Sequence, residues 1–120
     1  MQQLTKAEEQ IMHVLWDLGK GFVKDIIEKL PEPKPAYNTV ATFMKILKEK
    51  GFVDYHAYGK TYEYFPLVSK SEYSNSFLKH FLGSYFGGSF EKMVSFFVKQ
   101  NDMDLKEVEE LMKYVKKDLE

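Results

Sequence analysis

Apolar residues recur at helical spacing in six stretches of this chain, and a stretch of alternating residues lies between the third and fourth. The third stretch is the clearest: Val40, Phe43, Met44 and Leu47 share one helical face, and polar residues occupy the opposite face. The pattern predicts three helices, a two-stranded hairpin and three further helices, in that order.

Start and stop signals delimit the first two helices. Thr5 and Glu8 form a capping box that begins the first helix, and Gly19 and Gly21 end it. A shorter helix is predicted over about 22–30. The core residues predicted for these two helices are Ala7, Ile11, Val14, Leu15, Leu18, Val23, Ile26, Ile27 and Leu30.

Three prolines within residues 31–35 exclude a helix there and predict a stiff connector into the third helix. That helix is predicted over about 36–50, where Gly51 ends it. Strands at about 52–56 and 61–65 then form a hairpin. Three helices followed by a two-stranded wing indicate a winged helix-turn-helix unit.

The second half of the chain carries more apolar surface than about 50 residues can bury alone. Three helices are predicted here: one opened by a capping box at Ser69 and broken at Gly87, one over about 90–99, and one opened at Asp104. A second copy of the chain would cover this surface. The predicted dimer-interface residues are Tyr73, Phe77, Phe81, Tyr85, Phe90, Val94, Phe97, Val108, Leu111, Met112 and Val115.

The predicted fold class is therefore mainly α with a small β wing. Residues 1–68 form an N-terminal winged helix-turn-helix domain, and residues 69–120 form a C-terminal helical dimerisation domain. The chain starts with a polar, acidic segment and has no apolar run near the roughly 18 residues that cross a bilayer. With no cysteine in the sequence, we expect a cytoplasmic protein.

Catalytic and metal-binding constellations are absent from the sequence. His13, His56 and His80 fall on three different elements, and none has a second histidine at ligand spacing. Carboxylate pairs, Glu8–Glu9 among them, are expected on exposed faces as solvated groups. No enzyme activity, metal, cofactor or small-molecule ligand is predicted.

The charge distribution allows nucleic-acid binding but does not require it. The net charge is −1, and all 17 basic residues are lysine. The segment from Lys20 to Lys60 contains eight lysines and five acidic residues. Lysine contacts phosphates as a point charge and lacks the planar fork of arginine. Any DNA binding should therefore rely on phosphates and weaken with salt.

In a winged helix the N-terminal half of the third helix enters the major groove. Asn38 is suited to an adenine edge, Thr39 and Thr42 to phosphate or a thymine methyl, and Lys45 to phosphate or guanine. Tyr37 is suited to a phosphate contact through its hydroxyl or, alternatively, to packing on the second helix.

At the tip of the wing, Lys60 and Tyr58 are the candidate contacts with the flanking DNA backbone or minor groove. The alternative interpretation is an ordinary polar hairpin turn beside an ordinary polar helix face. The order of helices and wing favours the DNA-contact interpretation.

The whole chain resembles the penicillinase-repressor family of bacterial transcription factors, the BlaI/MecI/CopY type. The segments that carry the resemblance are LTKAEEQIMHVLW, YNTVATFMKILKEKGFV, YGKTYEYFPLVS, FGGSFEKMVSFFVK and LKEVEELMK. The resemblance implies a winged-helix domain, a dimerisation domain and a palindromic operator rich in TACA/TGTA-like half-sites. It also implies a membrane sensor with a metalloprotease domain, whose signalling ends in cleavage of the dimerisation domain.

Three departures from the family pattern matter. Family members often carry basic residues where this chain has Asn38 and Ala41, so Ala41 joins the candidate contacts and base preference differs. The absence of cysteine excludes the copper-sensing tail of one branch. The Asn-Phe bond cleaved in β-lactam-responsive members aligns with Phe96–Phe97, which makes this pair the candidate cleavage region and leaves the inducer open.

Two functions follow as hypotheses. In the first, a homodimeric repressor binds a palindromic operator and is released when the dimer is lost. In the second, the winged helix is a protein-interaction adaptor without specific DNA binding, which the near-zero net charge favours.

Overall fold

The computed structural model describes the backbone of residues 1–119 and the side chains of residues 1–114. The chain is mainly helical with a small β wing, as the sequence predicts. The elements are α1 (Lys6–Leu18), β1 (Gly21–Phe22), α2 (Val23–Lys29), α3 (Tyr37–Glu49), β2 (Val53–Tyr58), β3 (Thr61–Pro66), α4 (Lys70–Phe86), α5 (Phe90–Gln100) and α6 (Leu105–Leu119). No helix of the described residues is both long and apolar enough to span a membrane.

The chain divides into two compact units at a point within α4: the first comprises Met1–Phe77, and the second begins at Leu78. The sequence placed the domain boundary at the start of α4 instead, between residues 68 and 69. The first two turns of α4 thus lie in the N-terminal unit.

The wing has three antiparallel strands in the order β1-β3-β2, and not the two that the sequence predicts. In the added strand, Gly21 pairs with Tyr64 and Phe22 pairs with Glu63. Helix α2 itself begins at Val23, one residue after the predicted start at about 22. Phe22 is the N-cap of α2, and its N–H donates to the Asp25 carboxylate at 2.9 Å. A strand of two residues is too short to show an alternating pattern.

The core of the N-terminal unit is formed by α1, α2, the buried face of α3 and the root of the wing. The core residues predicted for the first two helices are buried or partly buried, except Ala7, which is exposed in the first turn of α1. The buried apolar residues of this core are Ile11, Met12, Leu15, Val23, Ile26, Leu30, Val40, Met44, Leu47, Phe52, Val53, Tyr64 and Tyr73.

Glu8 is buried, with 2% of its surface exposed, so the prediction that it is a solvated carboxylate is wrong. It accepts the Thr5 N–H at 2.8 Å in the predicted capping box, and it accepts Lys50 Nζ at 2.7 and 3.0 Å. Burial raises the pKa of Glu8, but the hydrogen bonds from Lys50 and Thr5 outweigh it and lower the pKa below 4.5. Since Lys50 is the C-cap of α3, this pair joins the start of α1 to the end of α3.

The C-terminal unit leaves much of its apolar surface uncovered. Helix α5 begins at the cap Ser89, whose hydroxyl accepts the Lys92 N–H at 3.1 Å, and none of its residues is buried. A groove between α5 and α6 is lined by apolar side chains that include Val94, Val98 and Met112. Large apolar side chains exposed on this unit are Leu78, Tyr85, Phe90, Phe96, Phe97, Leu105 and Tyr114.

Lys50→Met should lower the free energy of unfolding at pH 7 by about 2 kcal/mol, because it leaves a buried carboxylate without its charged partner. Adding Glu8→Gln should restore most of the loss, since glutamine can still accept the Thr5 N–H. Urea denaturation of the single and double variants measures both effects. Lys48→Met, whose partner Asp54 is as exposed as Lys48 itself, is the matched control and should change the stability far less.

The pH dependence provides a check on the same pair. Because the folded state lowers the pKa of Glu8, its stabilising contribution is complete above 4.5 and is lost as the pH falls through the lowered value. The stability difference between wild type and Glu8→Gln should therefore shrink below pH 4.5. A difference that stays constant down to pH 3 contradicts the assignment.

Candidate nucleic-acid interface

Helix α3 presents a polar face to solvent because its apolar face is fully used by the core. Val40 and Met44 are at most 1% exposed, whereas Asn38, Thr42 and Lys45 are exposed on the opposite side. The outward face is therefore the one that the sequence assigned to DNA contact.

The N-terminal end of α3 is open towards solvent. The N-cap residue, Ala36, contributes no side-chain hydrogen bond, and the first turn has no acidic residue. The amides of that turn and the positive end of the helix dipole thus favour an anion such as a phosphate.

The predicted contacts on α3 differ in their availability. Tyr37 is 53% exposed and Thr39 is also exposed, whereas Ala41 is half-buried and packs against the core. The Thr42 hydroxyl donates to the Asn38 carbonyl at 2.9 Å, so in the free protein it is used within the helix. Tyr37, Asn38, Thr39 and Lys45 are exposed, and among the described contacts their side chains have no hydrogen bond that would compete with DNA.

The wing tip presents its two candidates at the surface. Gly59 has a φ of +65° and turns the chain between β2 and β3, with Tyr58 paired to Thr61 across the turn. Tyr58 and Lys60 are both exposed. The Tyr58 ring lies 5.9 Å from Phe22 of β1, which supports the tip from the side of the added strand.

Tyrosines line the surface that connects the wing to α3. Tyr55 and Tyr62 stack at 4.1 Å between ring centroids. Burial raises the pKa of Tyr64, and the phenols of Tyr55, Tyr62 and Tyr37 raise it further. Tyr37 in the first turn of α3 lines one groove with Tyr62 of β3, so this turn lies beside the wing sheet.

A groove beside this cluster brings Tyr37 together with two residues that the sequence did not assign, Lys24 and Tyr62. Lys24 is an exposed cation on α2, and the groove also contains Thr61 of β3. The alternating pattern of β3 could have indicated Tyr62, but nothing in the sequence places Lys24 beside Tyr37.

Half of the eight lysines between Lys20 and Lys60 form ion pairs or hydrogen bonds with other groups of the same chain. Three pair with carboxylates: Lys20 with Glu63 at 3.8 Å, Lys48 with Asp54 at 3.4 Å and Lys50 with Glu8 at 2.7 Å. The fourth, Lys34, donates to backbone carbonyls at the end of α2. Within the side chains that the structure describes, Lys24, Lys29, Lys45 and Lys60 form no ion pair.

The sequence model of the penicillinase repressor family matches residues 4–117. The chain belongs to the penicillinase repressor family. As a member, it is a DNA-binding transcriptional repressor with a winged helix-turn-helix domain, and the family comprises repressors and not enzymes. The prediction of the family and that of a DNA-binding repressor are both confirmed.

Similar proteins of this family match over most of their length. The methicillin resistance regulatory protein MecI of Staphylococcus aureus strain N315 is 28% identical over 116 residues, 96% of this chain and 94% of that protein. The penicillinase repressor of Bacillus licheniformis is 26% identical over 110 residues, 91% of this chain and 86% of that protein.

Solved structures match the fold. The DNA-binding domain of the repressor BlaI superposes with a TM-score of 0.52 at 26% identity, covering 59% of this chain and 88% of that domain. The structure of hsRosR-S4 gives a TM-score of 0.57 over 98% of this chain and 91% of that chain, but at 18% identity it supports only the fold.

Proposed function

We propose that this penicillinase repressor family member acts as a homodimer on a palindromic operator, with one winged-helix unit on each half-site. The observation that carries the proposal is the exposed polar face of α3 together with an exposed wing tip, in a chain of a DNA-binding family. The two winged-helix units of such a dimer, called heads or reading heads, contact half-sites about one turn of the DNA helix apart, or a multiple of it. The protein would work in the cytoplasm, where the DNA of a bacterium lies.

The proposed base contacts come from α3. Asn38 and Thr39 in the first turn reach base edges, Ala41 and Thr42 approach a thymine methyl, and Lys45 contacts a phosphate or a guanine. Their exposure on one helical face supports this assignment, with Ala41 at its margin.

The proposed backbone contacts surround that helix. Tyr37, Tyr58 and Lys60 donate to phosphates, and Lys24 joins them because it shares a groove with Tyr37. Among the described side chains, only four lysines of this region are engaged neither in an ion pair nor with backbone carbonyls, so each head supplies few cations. Affinity for DNA then depends on joining two heads, which converts the second binding step into an intramolecular one.

The proposed dimer surface is the apolar face of the C-terminal unit together with Phe77. Its exposed aromatic residues and the groove between α5 and α6 are both apolar, so the aromatic residues of one copy can pack into the groove of the other. Tyr73 is left out of this surface, because it is 6% exposed within the N-terminal unit. The remaining predicted residues are Phe77, Phe81, Tyr85, Phe90, Val94, Phe97, Val108, Leu111 and Met112; the side chain of Val115 lies outside the described residues.

Loss of the dimer is the proposed route of derepression. The pair Phe96–Phe97 lies inside α5, and its two side chains are 54% and 48% exposed. Cleavage there, by a membrane-bound sensor protease, cuts a helix of the dimer surface and leaves the reading head intact. DNA release then follows from the loss of the second head and not from damage to α3.

Lys45→Ala and Lys60→Ala should each make DNA binding less sensitive to salt. In a dimer each substitution removes two cations, so the slope of log K against log salt should become shallower by about 1.8 per substitution. The measurement is a salt titration against a duplex with TACA and TGTA half-sites. Lys106→Ala, which removes the same charge from an exposed position on α6, should leave the slope unchanged. Absence of any specific shift for the wild type, at every salt concentration, would favour the adaptor function instead.

Phe97→Glu should separate the protomers and lower the affinity for the two-half-site duplex about a hundredfold, because avidity is lost. Sedimentation equilibrium measures the mass, and a gel shift compares the full operator with a single half-site, whose affinity should not change. Leu67→Glu places the same charge on an equally exposed apolar residue, 53% against 48%, outside the proposed surface, and should remain dimeric. A Phe97→Glu variant that is still dimeric and still binds tightly contradicts the proposed interface.

A further inference from the structure

The first turns of α4 are anchored to the N-terminal unit by contacts around one buried tyrosine, Tyr73. Just before the helix, the Val68 carbonyl accepts the Trp16 indole N–H at 2.8 Å. The ring of Tyr73 then lies 5.9 Å from Trp16 and 5.6 Å from Phe52. These contacts hold the beginning of α4 from two sides.

The hydroxyl of Tyr73 adds two directional hydrogen bonds to these packing contacts. It donates to Glu9 Oε2 at 3.2 Å and accepts the backbone N–H of Leu4 at 3.3 Å. Burial raises the pKa of Tyr73; the Leu4 N–H opposes this and the Glu9 carboxylate adds to it. The phenol therefore keeps its proton and remains a donor to Glu9. A phenylalanine could fill the same space, but it could not form these two directional bonds.

The contacts of Tyr73 also reach the C-terminal end of α3, which is the recognition helix of the proposed function. Phe52 follows α3, and its N–H donates to the Leu47 carbonyl at 2.9 Å. Phe52 is 1% exposed and packs edge-on against Tyr73. One side chain thus links α1, the C-terminal end of α3 and the first turn of α4.

We propose that Tyr73 is a positioning residue that fixes the direction in which α4 leaves the reading head. In the homodimer of the proposed function, on which this inference rests, that direction sets the separation of the two recognition helices. Tyr73 would then select the half-site spacing of the operator without touching DNA or the partner copy.

The test uses Tyr73→Phe in the full-length chain, and Ser74→Ala as the control, since it removes an exposed hydroxyl from the same turns of α4 at a residue with no assigned role. The chain has no cysteine, so Lys29→Cys on the exposed side of α2 provides one nitroxide label per protomer. Pulsed electron paramagnetic resonance then measures the distance between the two heads. We expect a narrow distribution for the parent and for Ser74→Ala, and a broader one for Tyr73→Phe.

A series of duplexes with half-sites moved apart or together by one base pair gives the second readout. The preference of the parent for its best spacing should fall about fivefold in Tyr73→Phe, the factor that one ordinary hydrogen bond represents. Affinity for a single half-site should not change. A role in core stability alone would weaken binding to all spacings equally.

Two results overturn the inference in different ways. If Tyr73→Phe is dimeric with the parent's distance distribution and spacing preference, the positioning role is wrong while the proposed repressor dimer stands. If the parent itself shows no distance between protomers, the dimer is wrong and the inference falls with it.

Discussion

The pairing of Glu8 with Lys50 holds the reading head together at the point where α1 and α3 meet. A carboxylate with so little exposure is destabilising unless its oxygens are hydrogen-bonded and its charge is balanced. The capping box provides the first requirement and Lys50 provides the second. Because Lys50 is the C-cap of α3, the ion pair joins the end of that helix to the start of α1. The polar face that the helix turns outward, and hence the surface available to DNA, depends on this buried pair and on the apolar stripe beside it.

The two units handle apolar surface in opposite ways. The N-terminal unit encloses its apolar residues in one core, so it can present a fixed surface of few cations, several phenols and an uncapped helix start. The C-terminal unit leaves aromatic side chains on its surface, and its helix α5 buries none of its residues. In the proposed mechanism this division of labour separates recognition from control. Cleavage of the C-terminal unit separates the two protomers, and the DNA-contacting surface of each head stays the same.

The sequence predicts features that depend on neighbours along the chain and misses those that depend on distant partners. The faces of α3 follow from a period of 3.6 residues, and the capping boxes follow from a spacing of three. The burial of Glu8 depends on a partner 42 positions away. Tyr73 shares a helical stripe with Phe77 and Phe81, but the stripe passes from one unit to the next. Periodicity cannot show that Tyr73 meets Trp16 and Phe52. For the same reason it cannot show which lysines are already paired, and these determine how many remain for DNA.

The uncovered face of α5 and α6 has a consequence for gene dosage. When part of a protein's apolar surface is covered only by a second copy, association contributes to folding stability, and the stability rises with protein concentration. A cell that makes less of such a repressor loses occupancy of the operator, and it also loses stability in every remaining molecule. In the proposed dimer, repression then falls more steeply than the amount of protein.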